Sequence, residues 1–227
     1  MSAKRIFVYG AGGHGKVVAD ILLARAKDEF AGFLDDREEL WGVEVMGYPV
    51  VGGSDWLVRE SGNSGAAVAI GVGENRTRQM LAEKCTRRGM EIVTLVHLAA
   101  TVSRTGLLGR GTVVMAGAII NAGARVGTGV IVNTAAVIEH DVDVGDYAHV
   151  APNSTMAGAS RLGAFSQLGL GAIVLPGVHV GSHTIVGAGA VVTRNLPDRV
   201  IAIGIPARTH HYREENELSV KMTVSAK

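Results

Sequence analysis

The second half of the chain carries a strict six-residue repeat. Fifteen apolar side chains stand six positions apart without a miss, and the residue four positions after them, from Thr112 to Ala190, is always Ala, Val, Ser or Thr. A short fixed period of this kind indicates a solenoid of stacked parallel strands. The fifteen positions are Leu108, Val114, Ile120, Val126, Val132, Ile138, Val144, Val150, Met156, Leu162, Leu168, Val174, Val180, Val186 and Val192.

The repeat also predicts how the solenoid packs. Three hexapeptides form one triangular coil, so the repeats give about five coils. We expect each aliphatic side chain to point inward and each small residue to fill a corner. Nothing is inserted between residues 108 and 193, so no loop should leave the solenoid there. Flat sides with few charges are typically covered by oligomerisation.

The first part of the chain follows a different pattern, in which apolar strands alternate with helices. This alternation predicts a small parallel α/β sheet of about four strands. We divide the chain into a Rossmann-like domain at 1–95, a β-helix domain at 96–212 and a tail at 213–227. Strands are predicted at 5–9, 30–34, 66–70 and 92–96, an irregular hairpin at 43–51, and helices at 16–27, 54–61 and 76–88, the last capped by Asn75 and Gly89.

Charge and composition exclude several classes of protein. The net charge is +1 and no basic stripe stands out, which argues against a nucleic-acid partner. The single cysteine, Cys85, excludes an internal disulfide and favours a reducing compartment. The N-terminus lacks a signal-peptide core, and no apolar run reaches the roughly 18 residues that a membrane helix needs. We therefore expect a cytoplasmic protein with no membrane insertion.

A glycine-rich turn predicts a nucleotide-like ligand. The sequence Gly10-x-Gly12-x-x-Gly15 follows a predicted strand and opens a helix, whose N-terminal N–H groups suit a phosphate. Asp35 and Asp36 end the next strand, where they can hold a ribose or a base. The motif leaves NAD and a nucleotide-sugar both open. A tight turn without a ligand is the structural alternative.

Three polar residues, Glu139, His140 and Asp141, interrupt the repeat at a predicted corner. A histidine can act as a general base, and a neighbouring carboxylate orients it and raises its basicity. A merely solvated surface histidine is the alternative. His149 lies nine residues further along, and this spacing is compatible with a second polar group in the same cleft.

The other candidate side chains give weaker indications of a functional site. His97, His179 and His183 show no arrangement that would complete a metal site with His140 and His149, so no metal is predicted. Cys85 has no histidine at a recognisable spacing, and we treat it as structural.

Several of these motifs, in this order, resemble one family. The motifs are the hexapeptide array, the turn from Tyr9 to Lys16, the strand end Phe33-Leu34-Asp35-Asp36, the rung Ile138-Glu139-His140-Asp141 and the closing segment Gly204-Ile205-Pro206-Ala207-Arg208. Over residues 4–210 the chain resembles bacterial sugar acetyltransferases of the sialic-acid O-acetyltransferase type. Within that type it is most similar to the N-acetyltransferases of nucleotide-linked 4-amino-4,6-dideoxy sugars.

The resemblance implies a left-handed parallel β-helix and a homotrimer with active sites at the subunit interfaces. It also implies acetyl-CoA along the solenoid and the nucleotide-sugar on the N-terminal domain. His140 matches the catalytic base, and Asp141 matches the carboxylate that orients it, where many relatives have Glu. The substrate-binding positions implied are Gly12, Gly13, His14, Gly15, Asp35, Asp36, Asn133 and Glu139. The cofactor-binding positions implied are His149, Gly158, Leu170, Ala188, Gly204, Pro206, Ala207 and Arg208.

We therefore expect direct transfer of an acetyl group from acetyl-CoA to the 4-amino group of a nucleotide-linked sugar, for bacterial surface glycan or protein glycosylation. An O-acetyltransferase that acts on sialic acid or another sugar hydroxyl is the first alternative. A non-catalytic NAD-binding module on a β-helix is the second, and a purely structural protein is the third.

Overall fold

The computed structural model describes residues 4–25, 29–60 and 65–212. It contains an N-terminal α/β domain and a three-sided solenoid. The predicted tail at 213–227 and the predicted helix ends at residues 27 and 61 lie outside the described residues. None of the helices within the described ranges is long and apolar enough to cross a membrane.

The N-terminal sheet has six strands in the order β3-β4-β2-β1-β5-β6, and all pairs except β3 with β4 are parallel. We expected about four strands, and the additional pair comes from the hairpin. The elements are β1 Arg5–Tyr9, α1 Gly13–Ala24, β2 Glu29–Leu34, a 3₁₀ turn Glu38–Leu40, β3 Glu44–Val45, β4 Tyr48–Gly52, α2 Ser54–Glu60, β5 Ala66–Ile70, α3 Asn75–Arg87 and β6 Glu91–Ile92.

Two helix starts differ from the prediction. Helix α1 begins at Gly13, three residues before the predicted start, because the glycine turn itself forms the first helical turn. Helix α3 is capped by Glu74, whose carboxylate accepts hydrogen bonds from the backbone N–H groups of Arg76 and Thr77. The prediction of Asn75 as the cap was wrong. Gly89 follows the helix with a φ of +74°, as expected of a C-terminal glycine.

The segment predicted as one strand at 92–96 is two strands in different sheets. Glu91–Ile92 ends the N-terminal sheet, whereas β7, Leu95–Val96, pairs with the solenoid strand Val113–Val114. The chain therefore passes from one domain to the other between residues 92 and 95, with only two residues between the two hydrogen-bonded sheets.

The solenoid consists of three sheets of parallel strands, and paired residues such as Ile120 and Ile138 are eighteen apart. Sheet I contains β7 Leu95–Val96, β10 Val113–Val114, β13 Ile131–Val132, β16 His149–Val150, β19 Gln167–Leu168, β22 Ile185–Val186, β24 Val200–Ile203 and β25 Arg208–Tyr212. Sheet II contains β8 Thr101–Val102, β11 Ile119–Ile120, β14 Val137–Ile138, β17 Thr155–Met156, β20 Ile173–Val174 and β23 Val191–Val192. Sheet III contains β9 Leu107–Leu108, β12 Arg125–Val126, β15 Asp143–Val144, β18 Arg161–Leu162 and β21 His179–Val180.

The predicted core is present. Every one of the fifteen aliphatic positions except Leu108 is buried, and so are the small residues from Thr112 to Ala190. The residue just before each small residue turns the corner with a positive φ, for example +59° at Asp141 and +71° at Gly123. We name the corners by the sheets they join: corner I–II, corner II–III and corner III–I.

The solenoid continues beyond Val192, the last position of the repeat. Strand β24 pairs in parallel with β22, and β25 folds back antiparallel on β24. The turn between them, at residues 204–207, contains a cis peptide bond at Ile205-Pro206. This hairpin closes the end of sheet I.

Candidate active site

A cavity of about 520 Å³ lies at the carboxyl edge of the N-terminal sheet. Five of the predicted substrate-binding residues line it: Gly12, Gly13, His14, Asp35 and Asp36. The loop at residues 71–74, which the sequence analysis did not single out, forms a further wall. The cavity is open to a ligand along the first turn of α1, where backbone N–H groups favour an anion.

Gly15 has a different role from the other glycines of the motif. A Cβ atom at this position would lie 1.7 Å from the carbonyl oxygen of Gly10, so only glycine permits the close approach of helix and turn. Gly15 is buried and does not line the cavity. It shapes the pocket from behind.

The two aspartates already have partners within the protein. Both oxygens of Asp35 accept hydrogen bonds, from the backbone of Ala11 at 2.9 Å and from the guanidinium of Arg37 at 2.9 Å. Burial works to raise the pKa of Asp35, but these bonds outweigh it and lower the pKa to about 2. Asp36 accepts from Tyr9 Oη at 2.7 Å and from the backbone of Ser54 at 2.8 Å. Both carboxylates hold the pocket loops in place.

The predicted catalytic pair forms a defined arrangement at corner II–III. Nδ1 of His140 lies 3.0 Å from Oδ2 of Asp141, and the two side chains are 63% and 69% exposed. This pairing favours the tautomer with the proton on Nδ1, which leaves the Nε2 lone pair available. Nε2 faces Gly158 one coil further on, where an added Cβ would lie 2.5 Å from it. We call His140, Asp141 and Gly158 the base corner.

Glu139, the residue before His140, contacts the preceding coil. Its Oε2 accepts a hydrogen bond of 2.9 Å from Nδ2 of Asn121, one coil earlier. Asn121 was not among the site residues predicted from the sequence. Its place eighteen residues before Glu139 is the signal that could have indicated the contact.

A second polar group lies where the two domains meet. Nε2 of His149, on sheet I, is 3.0 Å from Nδ2 of Asn133. The ring centroids of His149 and His14 are 6.4 Å apart, and Nε2 of His14 is a buried atom without a hydrogen-bond partner. We call His14, Asn133 and His149 the junction cluster.

Both junction histidines are neutral at physiological pH. Burial, with a smaller contribution from the charge of Arg78, lowers the pKa of His14 to about 4. Burial, and then the charges of Arg78 and His14, lower the pKa of His149 to about 3. A neutral imidazole can accept a hydrogen bond from a ligand, whereas an imidazolium cannot.

The structure does not place His140 and His149 in one cleft of a single chain. They are nine residues apart in a coil of eighteen, so His140 lies at corner II–III and His149 on the opposite sheet. The shared cleft that the spacing suggested is therefore not formed within one protomer.

The predicted cofactor positions divide between two corners. Gly158 belongs to the base corner, whereas Leu170 and Ala188 lie one coil apart at corner I–II. The turn at 204–207 continues the second group, because the N–H of Ala207 donates to Val191 O at 2.7 Å. We call Leu170, Ala188 and residues 204–207 the cofactor column. Leu170 is 57% exposed, while Ala207 is buried and can offer a ligand little surface. Arg208 is exposed, and its Nη1 donates to Ala207 O at 2.9 Å.

Arg78 is the main residue that the sequence analysis missed. It lies on α3, is 1% exposed, and donates hydrogen bonds to backbone carbonyls of both domains. A signal was present: Arg78, Leu81, Ala82 and Cys85 follow a helical period and form the buried face of α3. Among the described residues no group of three or more His, Cys, Asp or Glu side chains could hold a metal ion.

Comparison with solved structures gives close matches over nearly the whole chain. The acetyltransferase domain of PglB from Neisseria gonorrhoeae is 38% identical, with a TM-score of 0.87 over 91% of this chain and 99% of that chain. PerB from Caulobacter crescentus, solved with CoA and GDP-perosamine, is 40% identical, with a TM-score of 0.86 over 92% of this chain and 99% of that chain. The chain belongs to the nucleotide-linked amino-sugar N-acetyltransferase family.

Other comparisons agree with this family. Residues 5–85 match the family model described as the PglD N-terminal domain. The UDP-N-acetylbacillosamine N-acetyltransferase of Bacillus subtilis is 39% identical over 124 residues, which are 50% of this chain and 52% of that protein. This alignment thus spans about half of the Bacillus protein. The predicted architecture, a Rossmann-like domain followed by a left-handed β-helix, is confirmed.

The lowered pKa values of the two histidines in the junction cluster lead us to expect a loss of stability in acid. An unfolded histidine binds a proton below its ordinary pKa, about 6.5, while folded His14 and His149 stay neutral down to about 4 and 3. Stability should therefore be complete above about pH 6.5 and fall as the pH drops toward 4. We expect His14→Gln and His149→Gln to lower the difference in Tm between pH 7 and pH 5, measured by calorimetry.

The exposed His210 provides the matched control, and His210→Gln should keep the wild-type dependence of Tm on pH. An unchanged dependence in the double variant His14→Gln/His149→Gln would show that these histidines are not buried in their neutral form.

Proposed function

We propose that the protein transfers the acetyl group of acetyl-CoA to the 4-amino group of a nucleotide-linked 4-amino-4,6-dideoxy sugar, with His140 as the general base. One observation carries the proposal: Nδ1 of His140 is paired with Asp141 while Nε2 stays available beside Gly158. Relatives give independent support. The PglB domain has been solved with acetyl coenzyme A, and PerB with CoA and GDP-perosamine.

The proposed chemistry is a direct transfer. The amine nitrogen attacks the thioester carbonyl carbon, the C–N bond forms, and the C–S bond breaks. Nε2 of His140 takes a proton from the nitrogen and delivers it to the leaving sulfur, so that an amide and the CoA thiol are the products. Asp141 stabilises the transient imidazolium through Nδ1–H. This scheme needs no covalent acyl-enzyme.

We assign the nucleotide portion of the substrate to the cavity on the N-terminal domain. The N-terminal turn of α1, with Gly12, Gly13 and His14, suits the phosphates. Gly15, Asp35 and Asp36 act by shaping and fixing the loops. Because both oxygens of Asp35 already accept hydrogen bonds, a ribose hydroxyl of either a nucleotide-sugar or NAD would have to compete with Arg37 and Ala11.

We place acetyl-CoA along the solenoid, between the base corner and corner I–II. Leu170, Ala188, Gly204 and Pro206 would contact its pantetheine and nucleotide, and the cation of Arg208 would pair with a phosphate. Ala207 would act only through its backbone. His149 and Asn133 lie beside corner I–II, next to the proposed position of the thioester and the sugar, and Glu139 reaches the sugar from the base corner.

We propose that the complete site forms between two copies in a homotrimer. The outward positions of sheet II carry no charge, and Ile119 and Ile173 are 37% and 38% exposed there. Sheet II separates the base corner from corner I–II, so packing around it brings His140 of one copy to the Leu170–Ala188 column of the next. This arrangement would unite the residues that a single chain keeps apart.

Three further assignments belong to the proposal. We take residues 1–95 as the nucleotide-sugar domain and 96–212 as the acetyltransferase domain, with the solenoid pairing already beginning at Leu95. We assign the product to bacterial surface glycan or protein glycosylation. The cytoplasmic location stays a prediction.

The nature of the acceptor distinguishes N- from O-acetylation. We expect acetyl transfer from acetyl-CoA to a UDP- or GDP-linked 4-amino-4,6-dideoxy sugar, measured by release of the CoA thiol. The 4-hydroxy analogue should give a kcat/KM at least about 100-fold lower, because a neutral amine attacks through its lone pair, whereas a hydroxyl is a weaker nucleophile and must lose its proton as it attacks. Preference for the hydroxy analogue would establish the O-acetyltransferase. Calorimetric binding of NAD without binding of acetyl-CoA would establish the NAD module.

Replacement of the base should slow the chemical step. We expect His140→Ala to lower kcat at least about 100-fold, since it removes the proton acceptor. The Tm of the protein should change little, because the His140 side chain is exposed. His179→Ala, at an exposed position on sheet III, should keep the wild-type kcat. A near-normal rate for His140→Ala would remove His140 from the mechanism.

Mixed trimers test the shared site. His140→Ala removes the base, and Ala188→Trp should block the cofactor column; each variant alone should be inactive. Trimers assembled from equal amounts of both should regain activity at about a quarter of their sites, where an intact base corner meets an intact column. No recovery in trimers confirmed by light scattering would mean that each site lies within one chain.

A further inference from the structure

The side chain of Arg78 crosses the boundary between the nucleotide pocket and the β-helix. Its Nη1 donates to Gly73 O at 2.9 Å and Val72 O at 3.3 Å, and both carbonyls belong to the loop that forms the inner wall of the pocket. On the other side, its Nε donates to Gly129 O at 2.6 Å and its Nη2 to Tyr147 O at 2.7 Å. One side chain thus joins two elements of different domains.

The contacts lead directly to the junction cluster. Nη2 also donates to Ala148 O at 3.2 Å, and Ala148 is the residue immediately before His149. Asn75 completes the connection, because its Oδ1 accepts from Arg78 at 2.9 Å and its Nδ2 donates to Phe165 O at 3.0 Å. The pocket wall and the strand of His149 therefore share a single anchor.

The chemistry of this contact requires an arginine. Within the described chain, Arg78 forms no ion pair, and its partners are carbonyl oxygens spread over several directions. A planar guanidinium offers five N–H donors in a fixed fork, whereas lysine offers three on one nitrogen. The hydrogen-bond partners of Arg78 are all neutral, and the carboxylate of Glu74 acts on the guanidinium only through its charge. A buried cation held in this way is costly to disturb, which suits a residue that sets geometry.

We propose that Arg78 is a positioning residue for the transfer reaction: it fixes the inner wall of the nucleotide pocket against the strand that carries His149. The inference rests on the proposed function, because it assigns the sugar nucleotide to that pocket. Its consequence is that α3 sets the distance between the bound nucleotide and the thioester. A misplacement of about 1 Å can cost roughly 100-fold in rate.

The test compares Arg78→Lys and Arg78→Met with Arg76→Met, a matched control at an exposed position on the same helix. On the folded protein we expect Arg78→Lys to raise KM for the nucleotide-linked amino sugar and to lower kcat, each by at least about tenfold. KM for acetyl-CoA should change less than KM for the sugar, because Arg78 makes no contact with Leu170, Ala188 or the turn at 204–207 and reaches the cofactor site only through the strand of His149. The control should match the wild type in all three constants.

A second measurement separates positioning from stability. Addition of UDP or GDP should raise the Tm of the wild type, and this rise should shrink in Arg78→Lys, while the rise with acetyl-CoA is retained. If the Arg78 variants do not fold, the same measurements are made on Asn75→Ala. This variant removes one hydrogen-bond partner of Arg78 and keeps the guanidinium. A lower Tm with unchanged KM, kcat and nucleotide-induced shift would overturn the proposal.

The role of Arg78 and the proposed function can fail independently in these experiments. Absence of acetyl transfer in the wild type, with every amino sugar tested, would refute the proposed function. The binding of UDP or GDP to Arg78→Lys would still test the role of Arg78 at the pocket.

Discussion

Backbone hydrogen bonds between coils hold the proposed catalytic residues in place. The N–H of Asp141 donates to Ala122 O at 3.0 Å in the preceding coil, and His140 O accepts from the N–H of Ala159 at 2.9 Å in the next. The base corner is therefore fixed from both sides, Asp141 to the preceding coil and His140 to the following one, by bonds that repeat every eighteen residues. Exposed side chains on a rigid backbone of this kind need little further support to keep a defined geometry.

Most of the fold could be predicted from the sequence because one simple rule repeats. A six-residue period requires an inward aliphatic residue and a small corner residue, and both are found from Val114 onward. The predictions that were wrong concern features that a sequence period does not determine. Whether Asn75 or Glu74 caps α3 depends on which side chain finds another partner, and Asn75 is already engaged with Phe165 and Arg78. The division of the segment 92–96 into two strands depends on where the two sheets meet.

The site was predictable only in part, and for a physical reason. His140 and Asp141 are adjacent in sequence, so their contact follows from local geometry. The contact between Asn133 and His149 depends on the coil spacing, and that between His14 and His149 depends on how the domains dock. Arg78 follows the buried period of its helix, but an arginine at such a position conflicts with the usual expectation that this side chain faces water. Its burial is explained by the carbonyl oxygens that the pocket loop and the second domain bring to it, which a helical period does not record.

The contact between His140 and Gly158 has a consequence for how this chain can change. The space occupied by the imidazole exists because residue 158 has no side chain, although the two positions are eighteen residues apart. Any substitution at residue 158 would displace the ring, and a smaller residue at position 140 would remove the reason for a glycine there. The two positions are therefore epistatic, and an engineered change in acyl-group or acceptor size at this corner has to alter them as a pair.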